Sequence, residues 1–597
     1  MCGIAGFITQ SNKYNFKSLS EMINSINHRG PDARGFFIDP KKGIYLAHCR
    51  LSIIDLSKNA NQPLTNEKNT IYLIYNGEIY NFKSLKNYLI KKGHQFRSKT
   101  DGEILIHLYE EEGLKFLHKL NGMFVFALFD KIKHRLILAR DRIGIKPLYY
   151  FLTNQIFSFA SEIKAFKPLG EFSISKFAIE NLLRYQFLPN NHLTILKNIY
   201  KLPPGHFLIY NLSNRNFKIK KYWKLSINKK IRNLNFNEAL ETFENLLIKS
   251  IKLRLIADVK IGIMLSGGVD SSLIAALSSK FFSKQIFTFT AGFESKIDER
   301  KWAKKVADFI GSTHTELILN LSEIIKDIEN IAFYFDDLSS FDAGLITNYL
   351  IAKEIRKRGI KVILLGEGAD EIFGGYSWFG LSQIPFKFFP LPVKKFLFYY
   401  AISRNYSFDP ISSFKEFNKI LKSFSKEIKN FFDLISYFEI TFQLPNHYLM
   451  KVDKGSMMAS IEARVPYLDH NLVEFGYSLS PSFKLKGKTF SFKNPKEKYL
   501  LRKLASKYLP SEIAFRKKKG GMFPVSDFIK LAQSKIKDYL LSKNSLAIEI
   551  FGRKKIEKLL KDPINLGKSN WNFKEVEREI FLWKLFLLEL WRNSLKV

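Results

Sequence analysis

The pattern of apolar residues changes near residue 225, and this change most constrains the fold. Before it, short apolar runs joined by turns predict strands, interrupted by two predicted helices at 82–92 and 101–112. One run, at 71–75, leads into a predicted turn at Asn76-Gly77. A strand-rich segment with few helices is typical of a layered α+β domain.

After residue 225, strands alternate with helices. The predicted strands are 259–265, 286–290 and 360–365, and the predicted helices are 271–280, 299–310 and 347–358. This alternation predicts an α/β domain with a doubly wound parallel sheet. The chain from about 380 onwards reads as helical. Since 597 residues are too many for one core, we expect two domains, 1–225 and 226–597.

Composition excludes several protein classes. Two cysteines, Cys2 and Cys49, are too few for a disulfide-stapled scaffold or a cysteine-rich metal site. The start of the chain does not have the pattern of a signal peptide, and nothing reaches the ~18 consecutive apolar residues of a membrane helix. The sequence therefore predicts a cytoplasmic protein that does not bind a membrane.

The net charge of +38 raises the alternative of nucleic-acid binding, which would depend on salt concentration. The basic residues are spread along the chain, however, without an arginine-rich tract. The longest basic cluster, 516–519, precedes Gly520-Gly521, a pattern typical of a loop at a phosphate site. No nucleic-acid partner is therefore expected.

Cys2 is a candidate nucleophile. Removal of Met1 would give it a free α-amine with a pKa of about 8, which could take the thiol proton. An ordinary buried cysteine is the alternative, and companion residues favour the nucleophile. Arg50 could hold a carboxylate, Asp101 could pair with an ammonium group, and Asn76-Gly77 offers the donors that an oxyanion needs.

Four segments resemble the class II glutamine amidotransferase domain: 1–6, 28–32, 75–81 and 140–150. The resemblance implies the N-terminal-nucleophile hydrolase fold, a sandwich of two β-sheets between helical layers. It also implies that Cys2 attacks the glutamine amide and that Asn76 and Gly77 form the oxyanion hole. The residues that it places around glutamine are Arg50, Leu51, Ser52, Ile53, Ile54, Asn76, Gly77, Glu78 and Asp101. Ala33 departs from the second acidic residue that the family often has, and no metal ion is expected at His28 or His48.

A Ser/Gly loop at 266–272 follows a predicted strand and opens a helix. Its two glycines allow close approach of a phosphate, and its hydroxyls and the helix N-terminus supply donors. It lacks the Lys of a P-loop and the third Gly of a dinucleotide fingerprint, and a chance turn is the alternative.

An acidic segment, 366–371, follows the strand predicted at 360–365. Ligands of parallel sheets gather at the carboxyl ends of strands, so we expect Asp270 and Asp370 to share Mg²⁺ with the pyrophosphate of ATP. A solvated acidic turn is the alternative.

These segments, with 460–469 and 498–502, resemble the synthetase domain of the asparagine synthetases, an ATP pyrophosphatase of the adenine-nucleotide α-hydrolase fold. By this resemblance Glu367 assists formation of a β-aspartyl-AMP intermediate, Lys498 stabilises developing charge, and Lys518 reaches the pyrophosphate. The ATP site would comprise Leu265, Ser266, Gly267, Gly268, Val269, Asp270, Ser271, Ser272, Ala291, Leu365, Gly366 and Lys518. Two departures concern Leu365, where the family commonly has Ser, and the segment 336–349, expected to line the acceptor pocket.

The resemblance implies conversion of aspartate, ATP and glutamine to asparagine, AMP, pyrophosphate and glutamate, with ammonia passing between the domains. The main alternative is amidation of another carboxylate, on a glycan or peptide precursor. A β-lactam synthetase is disfavoured because such relatives look to have lost the terminal cysteine. A regulatory homologue with dead sites is disfavoured because every motif residue with an assigned role is present. The expected partners are these small molecules, and a homodimer is an assembly that the sequence allows.

Overall fold

The structure is a computed structural model. It describes residues 2–282, 285–293, 299–338, 344–384, 390–403, 410–425, 428, 430–486, 497–517, 523–561 and 573–595. These residues form three β-sheets surrounded by helices.

The strands of the first half form two sheets. They are β1 (Gly3–Thr9), β2 (Ala33–Asp39), β3 (Ile44–Arg50), β4 (Leu64–Thr65), β5 (Ile71–Ile79), β6 (Gly122–Asp130), β7 (Arg135–Arg140), β8 (Tyr149–Leu152), β9 (Ile156–Ala160), β10 (Ile199–Lys201), β11 (His206–Asn211) and β12 (Phe217–Lys221). The helices are α1 (Phe16–Ser25), α2 (Phe82–Lys91), α3 (Ile104–Glu112) and α4 (Lys176–Tyr185), with 3₁₀ turns at Asn27–Arg29, Lys58–Ala60, Gly113–Lys119 and Ile163–Leu169.

The two sheets pack face to face between helical layers. Their strand orders are β10-β8-β9-β1-β3-β2 and β12-β11-β7-β6-β5-β4, with antiparallel neighbours. Alternation along β1 shows the layering, because Ile4 packs against Val125 of the opposite sheet whereas Phe7 packs with Leu19 of α1. On the far side, Leu105 of α3 covers the second sheet. The predicted sandwich of two β-sheets between helical layers is confirmed.

The turn predicted at Asn76-Gly77 is wrong, because β5 continues through both residues to Ile79. Gly77 pairs with Phe124 of β6, and a Cβ atom on Gly77 would lie only 2.1 Å from the carbonyl oxygen of Met123. The glycine therefore serves close approach of two strands rather than a reversal of the chain.

The strands of the second half form one parallel sheet, ordered β15-β14-β13-β16-β17. They are β13 (Ile261–Met264), β14 (Phe287–Phe293), β15 (Thr313–Leu319), β16 (Val362–Leu364) and β17 (Glu462–Arg464). The strand order reverses between β13 and β16, so right-handed crossovers put helices on both faces and leave a crevice at the carboxyl ends of these two strands. The predicted doubly wound α/β sheet is confirmed, although β15 and β17 were not predicted.

Helices make up the rest of the second half, including the helical C-terminal part that the sequence predicts. They are α5 (Lys229–Arg232), α6 (Phe236–Arg254), α7 (Val269–Phe281), α8 (Arg300–Ile310), α9 (Leu321–Ala332), α10 (Gly344–Lys357), α11 (Ala369–Phe373), α12 (Leu391–Ile402), α13 (Pro410–Ser425), α14 (Phe431–Phe438), α15 (Leu449–Met458), α16 (His470–Ser478), α17 (Pro481–Lys484), α18 (Tyr499–Ala505), α19 (Ser511–Ala514), α20 (Val525–Leu531), α21 (Gln533–Leu540), α22 (Leu546–Phe551), α23 (Arg553–Lys561) and α24 (Phe573–Leu595). Shorter 3₁₀ turns lie at Ser377–Gln383 and Pro466–Leu468, and a π-helix spans Glu439–Tyr448.

The last helix, α24, packs in the interior of the protein. Trp583 and Trp591 are buried in a cluster that also contains Phe166 of the first half. Within the described ranges, no helix has the length and apolarity needed to span a membrane.

Buried ion pairs join the two halves. The Arg29 guanidinium lies 2.8 Å from Glu162 of the first half and 2.9 Å from Asp453 of α15, and all three side chains are buried. Arg464 of β17 lies 3.1 Å from Glu78 of β5. We propose the domain boundary at residue 225, in the connection between β12 and α5.

Candidate active sites

Cys2 lies just before β1, next to the side chain of Asn76 on β5. Its main-chain nitrogen donates a hydrogen bond to Asn76 Oδ1 at 2.9 Å. Burial raises the pKa of the Cys2 thiol, so a base is needed to form the thiolate. The amide nitrogen Nδ2 of Asn76 is buried and makes no hydrogen bond within the described part of the chain. A donor therefore lies ready beside the candidate nucleophile.

Arg50 ends β3 on the same side of the domain. Its terminal nitrogens donate to the carbonyl oxygen of Ser57 and to Asn61 Oδ1, both at 2.8 Å, and to the carbonyl oxygen of Asp55. The guanidinium thus braces the loop that follows β3. To hold a substrate carboxylate it would exchange some of these contacts.

Two acidic residues complete the predicted glutamine site. Asp101 accepts hydrogen bonds from the Tyr75 hydroxyl and the Ile79 amide, both at 2.7 Å. Burial raises the pKa of Asp101, and burial together with the neighbouring Glu462 raises the pKa of Glu78 well above its usual range. The structure thus places Asp101 against β5, the strand that carries Asn76, Gly77 and Glu78.

The segment 51–54 lies between the first site and the second half. The Ser52 amide donates to Asp32 at 2.8 Å, and Ile54 supplies a carbonyl oxygen facing Arg50 at 3.5 Å. Leu51 and Ile53 pack with Val362 and Met457. Ile53 therefore contributes to the domain interface.

A second cavity opens at the carboxyl ends of β13 and β16, where the strand order reverses. The predicted residues that line it are Leu265, Ser266, Gly268, Val269, Asp270, Ser271, Ala291, Leu365, Gly366, Glu367, Asp370 and Lys498. Gly267 and Ser272 do not line it, and Lys518 lies outside the described residues. The chance-turn interpretation of the Ser/Gly loop is therefore disfavoured.

The local structure accounts for the two glycines of this loop. Gly267 has φ +69°, and a Cβ atom there would lie 2.7 Å from the Ala303 nitrogen and from Trp302 Cβ at the start of α8. Gly268 precedes α7 as its N-terminal cap, so the unpaired amides of the first turn of α7 face the cavity. Ser266 Oγ lies 3.1 Å from Ser271 Oγ across the loop.

Lys498 bridges the two aspartates that were predicted as metal ligands. Its Nζ lies 2.7 Å from Asp270 Oδ2 and 2.7 Å from Asp370 Oδ1. Lys498 has φ +56°, an uncommon backbone conformation for a residue with a side chain. Glu371, which follows Asp370 in the acidic segment, is buried. Burial together with the charge of Asp370 raises the pKa of Glu371 to about 7. A solvated acidic turn is therefore wrong for this segment.

The sequence analysis did not name several residues that line this cavity as site residues, among them Glu299 and Arg516. Arg516 donates to the Gly267 carbonyl oxygen at 2.8 Å, contacts Glu299, and lies 4.9 Å from the centre of the Trp302 ring. The predicted phosphate loop at 516–519 was the available signal for Arg516. Asn348 was not named individually, although it lies in the segment 336–349 that was predicted to line the acceptor pocket.

The segment 336–349, predicted to line the acceptor pocket, is divided in the structure. Asp336 and Asp337 are buried at the domain interface, within 2.9 and 2.6 Å of Lys454 Nζ, and Tyr149 donates to Asp337. Residues 339–343 lie outside the described ranges. Asn348 lines the cavity.

Strand β17 connects the two sites. The carbonyl oxygen of Arg464 accepts a hydrogen bond from the Leu365 amide at 2.9 Å, beside the second cavity. The Arg464 side chain extends to Glu78 at the first site and lies 2.6 Å from Glu462. A single short strand therefore contacts residues of both sites.

Comparison with known proteins agrees with this division. Residues 1–223 match the glutamine amidotransferase domain family, and residues 242–593 match the asparagine synthase family. Asparagine synthetase [glutamine-hydrolyzing] 1 of Bacillus subtilis is 32% identical, over 89% of this chain and 88% of that protein. Putative asparagine synthetase [glutamine-hydrolyzing] 1 of Methanocaldococcus jannaschii is 29% identical, over 88% of this chain and 93% of that protein. Amidase chry2 of Gibberella zeae is 28% identical, over 88% of this chain and 89% of that protein. The chain belongs to the asparagine synthase family and carries a glutamine amidotransferase domain in its first half.

Proposed function

We propose that the protein makes asparagine from aspartate, using glutamine as the nitrogen donor and cleaving ATP to AMP and pyrophosphate. The observation that carries this proposal is the pairing of two sites in one chain. Cys2 and Asn76 meet in the first half, and the Ser/Gly loop meets Asp270, Asp370 and Lys498 in the second.

In the first half, the Cys2 sulfur attacks the side-chain amide carbon of glutamine. The thiol proton passes to the α-amine that removal of Met1 creates, and from there to the leaving ammonia. Asn76 Nδ2 and the Gly77 amide donate to the oxyanion, while Arg50, Glu78 and Asp101 hold the amino-acid end. Water then hydrolyses the thioester and releases glutamate.

In the second half, the side-chain carboxylate of aspartate attacks the α-phosphorus of ATP, and pyrophosphate leaves. Ammonia then attacks the β-aspartyl adenylate, and AMP leaves. The positive charge of Lys498 offsets the negative charge that develops in both steps, and Glu367 assists adenylate formation. Arg516 and Lys517 at the cavity, and Lys518, which follows them in the sequence, would attract the pyrophosphate. Ammonia must cross between the domains shielded from water, which would protonate it.

Asp270 and Asp370 fit the requirements of Mg²⁺. Their carboxylate oxygens converge on one point, as their shared contact with Lys498 demonstrates, and Asp270 Oδ1 is buried without a hydrogen-bond partner among the described residues. Mg²⁺ prefers such oxygen ligands combined with substrate phosphates. It would neutralise charge on the pyrophosphate, and binding it would require Lys498 to release at least one aspartate.

The deciding assay supplies aspartate, ATP and glutamine and measures the products. Asparagine, AMP and pyrophosphate should form in equal amounts. Formation of ADP would contradict the proposal. Replacing aspartate by other carboxylates tests the alternative acceptors, a glycan or peptide precursor, and turnover without aspartate would favour them. The names of two relatives that cover both halves favour aspartate, whereas the name of a third, Amidase chry2, specifies no acceptor.

Asn76→Asp should reduce glutamine hydrolysis by about 10²–10³-fold, because it removes an oxyanion donor. Aspartate keeps an oxygen where Asn76 Oδ1 accepts from the Cys2 nitrogen, so the substitution separates positioning from oxyanion binding. Glutamate release should fall, with ammonia-dependent synthesis unchanged. A variant with normal glutaminase activity would remove Asn76 from the oxyanion hole.

The same proposal includes a cytoplasmic location and a homodimer. Both cysteines are unpaired, which suits a reducing compartment. Fractionation of cells and size-exclusion chromatography with light scattering test the two points.

A further inference from the structure

Four side chains with metal-binding atoms converge on the outer layer of the first domain, away from Cys2. Glu67 lies in the turn after β4, His94 in the loop after α2, and His107 and Glu110 one turn apart on α3. We call these four residues the His94 cluster. Their ligand atoms all lie within 4.8 Å of one another. The cluster mixes imidazoles and carboxylates and is therefore more than an acidic patch.

The distances inside the His94 cluster leave room for an ion. His94 Nδ1 lies 4.0 Å from Glu67 Oε1 and 4.0 Å from Glu110 Oε2, and His107 Nδ1 lies 3.9 Å from Glu67 Oε2. Only His107 Nδ1 and Glu110 Oε2, at 3.2 Å, are at hydrogen-bonding distance. Simple ion pairs would close to about 2.7–3.2 Å. Ligands of a tetrahedral zinc ion, with bonds of about 2.0–2.2 Å, are about 3.4 Å apart.

The outer nitrogens of both rings also face carboxylates. His94 Nε2 lies 3.2 Å from Glu111 Oε1, and the buried His107 has Nε2 4.0 Å from Glu103 Oε1. A metal-binding histidine usually has its second ring nitrogen on a carboxylate, which orients the ring and increases its basicity. Each histidine therefore has an inner nitrogen facing the gap and an outer nitrogen facing an acid.

We propose that Glu67, His94, His107 and Glu110 bind one divalent transition-metal ion, best matched by Zn²⁺. Two imidazoles and two carboxylates favour zinc over Mg²⁺ or Ca²⁺, which prefer oxygen ligands alone. Four protein ligands close the coordination shell, which is typical of a structural site. The ion would fix α3 against the loops at Glu67 and His94. Because α3 begins three residues after Asp101, it would also hold the segment that carries Asp101.

The test uses the full chain, first stripped with a chelator and then titrated with Zn²⁺ alone. We expect one tightly bound zinc per chain by calorimetry and elemental analysis, a higher melting temperature with zinc, and the visible absorption of tetrahedral cobalt after Co²⁺ substitution. His94→Ala and Glu110→Gln should each lose stoichiometric binding and the thermal shift. His118→Ala, an exposed histidine of the same domain, should keep both.

Asp270→Asn separates this site from the cavity of the second half and should also keep stoichiometric zinc. The Glu67 side chain is 39% exposed, so Glu67→Gln should leave the fold intact. If His94→Ala loses its native circular dichroism spectrum, Glu67→Gln is the deciding variant. Absence of stoichiometric zinc in the wild-type chain would overturn the proposal. So would zinc binding that survives in folded Glu67→Gln and Glu110→Gln.

Discussion

Replacement of Cys2 with alanine is expected to abolish glutamine-dependent asparagine synthesis while ammonia-dependent synthesis continues. Without the sulfur no thioester can form, and the second half needs only the ammonia that the first half supplies. The loss should be complete within the background of the assay. Measuring asparagine formation with glutamine and then with a high concentration of ammonium chloride gives both results from one preparation.

Cys49→Ala is the matched control, because Cys49 is also a buried free cysteine but is not at the chain start. It should keep glutamine-dependent activity. Retention of Met1, detected by mass spectrometry, should impair the same half because it places the amine in a peptide bond. A Cys2→Ala enzyme whose glutamine-dependent activity equals that of the wild type would contradict the amidotransferase assignment.

Lys498→Ala is expected to lower asparagine synthesis by at least about 100-fold with either nitrogen donor. The substitution removes the charge that balances adenylation, and it leaves Asp270 and Asp370 facing each other without their shared cation. A group that acts in the transition state changes turnover more than ground-state binding. The KM for ATP should therefore change far less than kcat, measured by pyrophosphate release.

Glutaminase activity reports on folding of the first half in this experiment, since Lys498 forms its ion pairs with Asp270 and Asp370 of the second half. Lys507→Ala, which removes an exposed lysine paired with Glu244, is the control and should behave as the wild type. Unchanged ammonia-dependent synthesis in Lys498→Ala would make the lysine a structural residue.

The strands of the fold could be predicted from sequence where both faces are buried. The apolar run of β6 is of this kind, and the two central residues of β13 are also buried. Strand β15 alternates and is half exposed, and β17 is three residues long with two charged side chains. Those charges are explained only by tertiary contacts such as that of Arg464 with Glu78. The Asn-Gly pair of β5 misled for the same reason, because strand pairing overrides a local turn preference.

The sites also differ in how far they could be predicted from the sequence. A phosphate loop keeps its chemistry in seven consecutive residues, so Asp270 and Ser271 could be predicted before any fold was known. The His94 cluster draws on three separate elements, and its spacing along the chain resembles no metal motif. Only the packing of α3 against two loops brings His94 and His107 together.

The buried ion pairs between the halves have a consequence for how the molecule loses its structure. Separating the halves would leave Arg29 and Glu78 in one fragment and Asp453 and Arg464 in the other, and would break the buried Arg29–Asp453 and Glu78–Arg464 pairs. Losing one partner of a buried pair typically costs about 3–5 kcal/mol, so undocking either half is opposed by a large free-energy penalty. The two sequence domains should consequently melt as one calorimetric unit, with a van't Hoff enthalpy that approaches the calorimetric value for the whole chain.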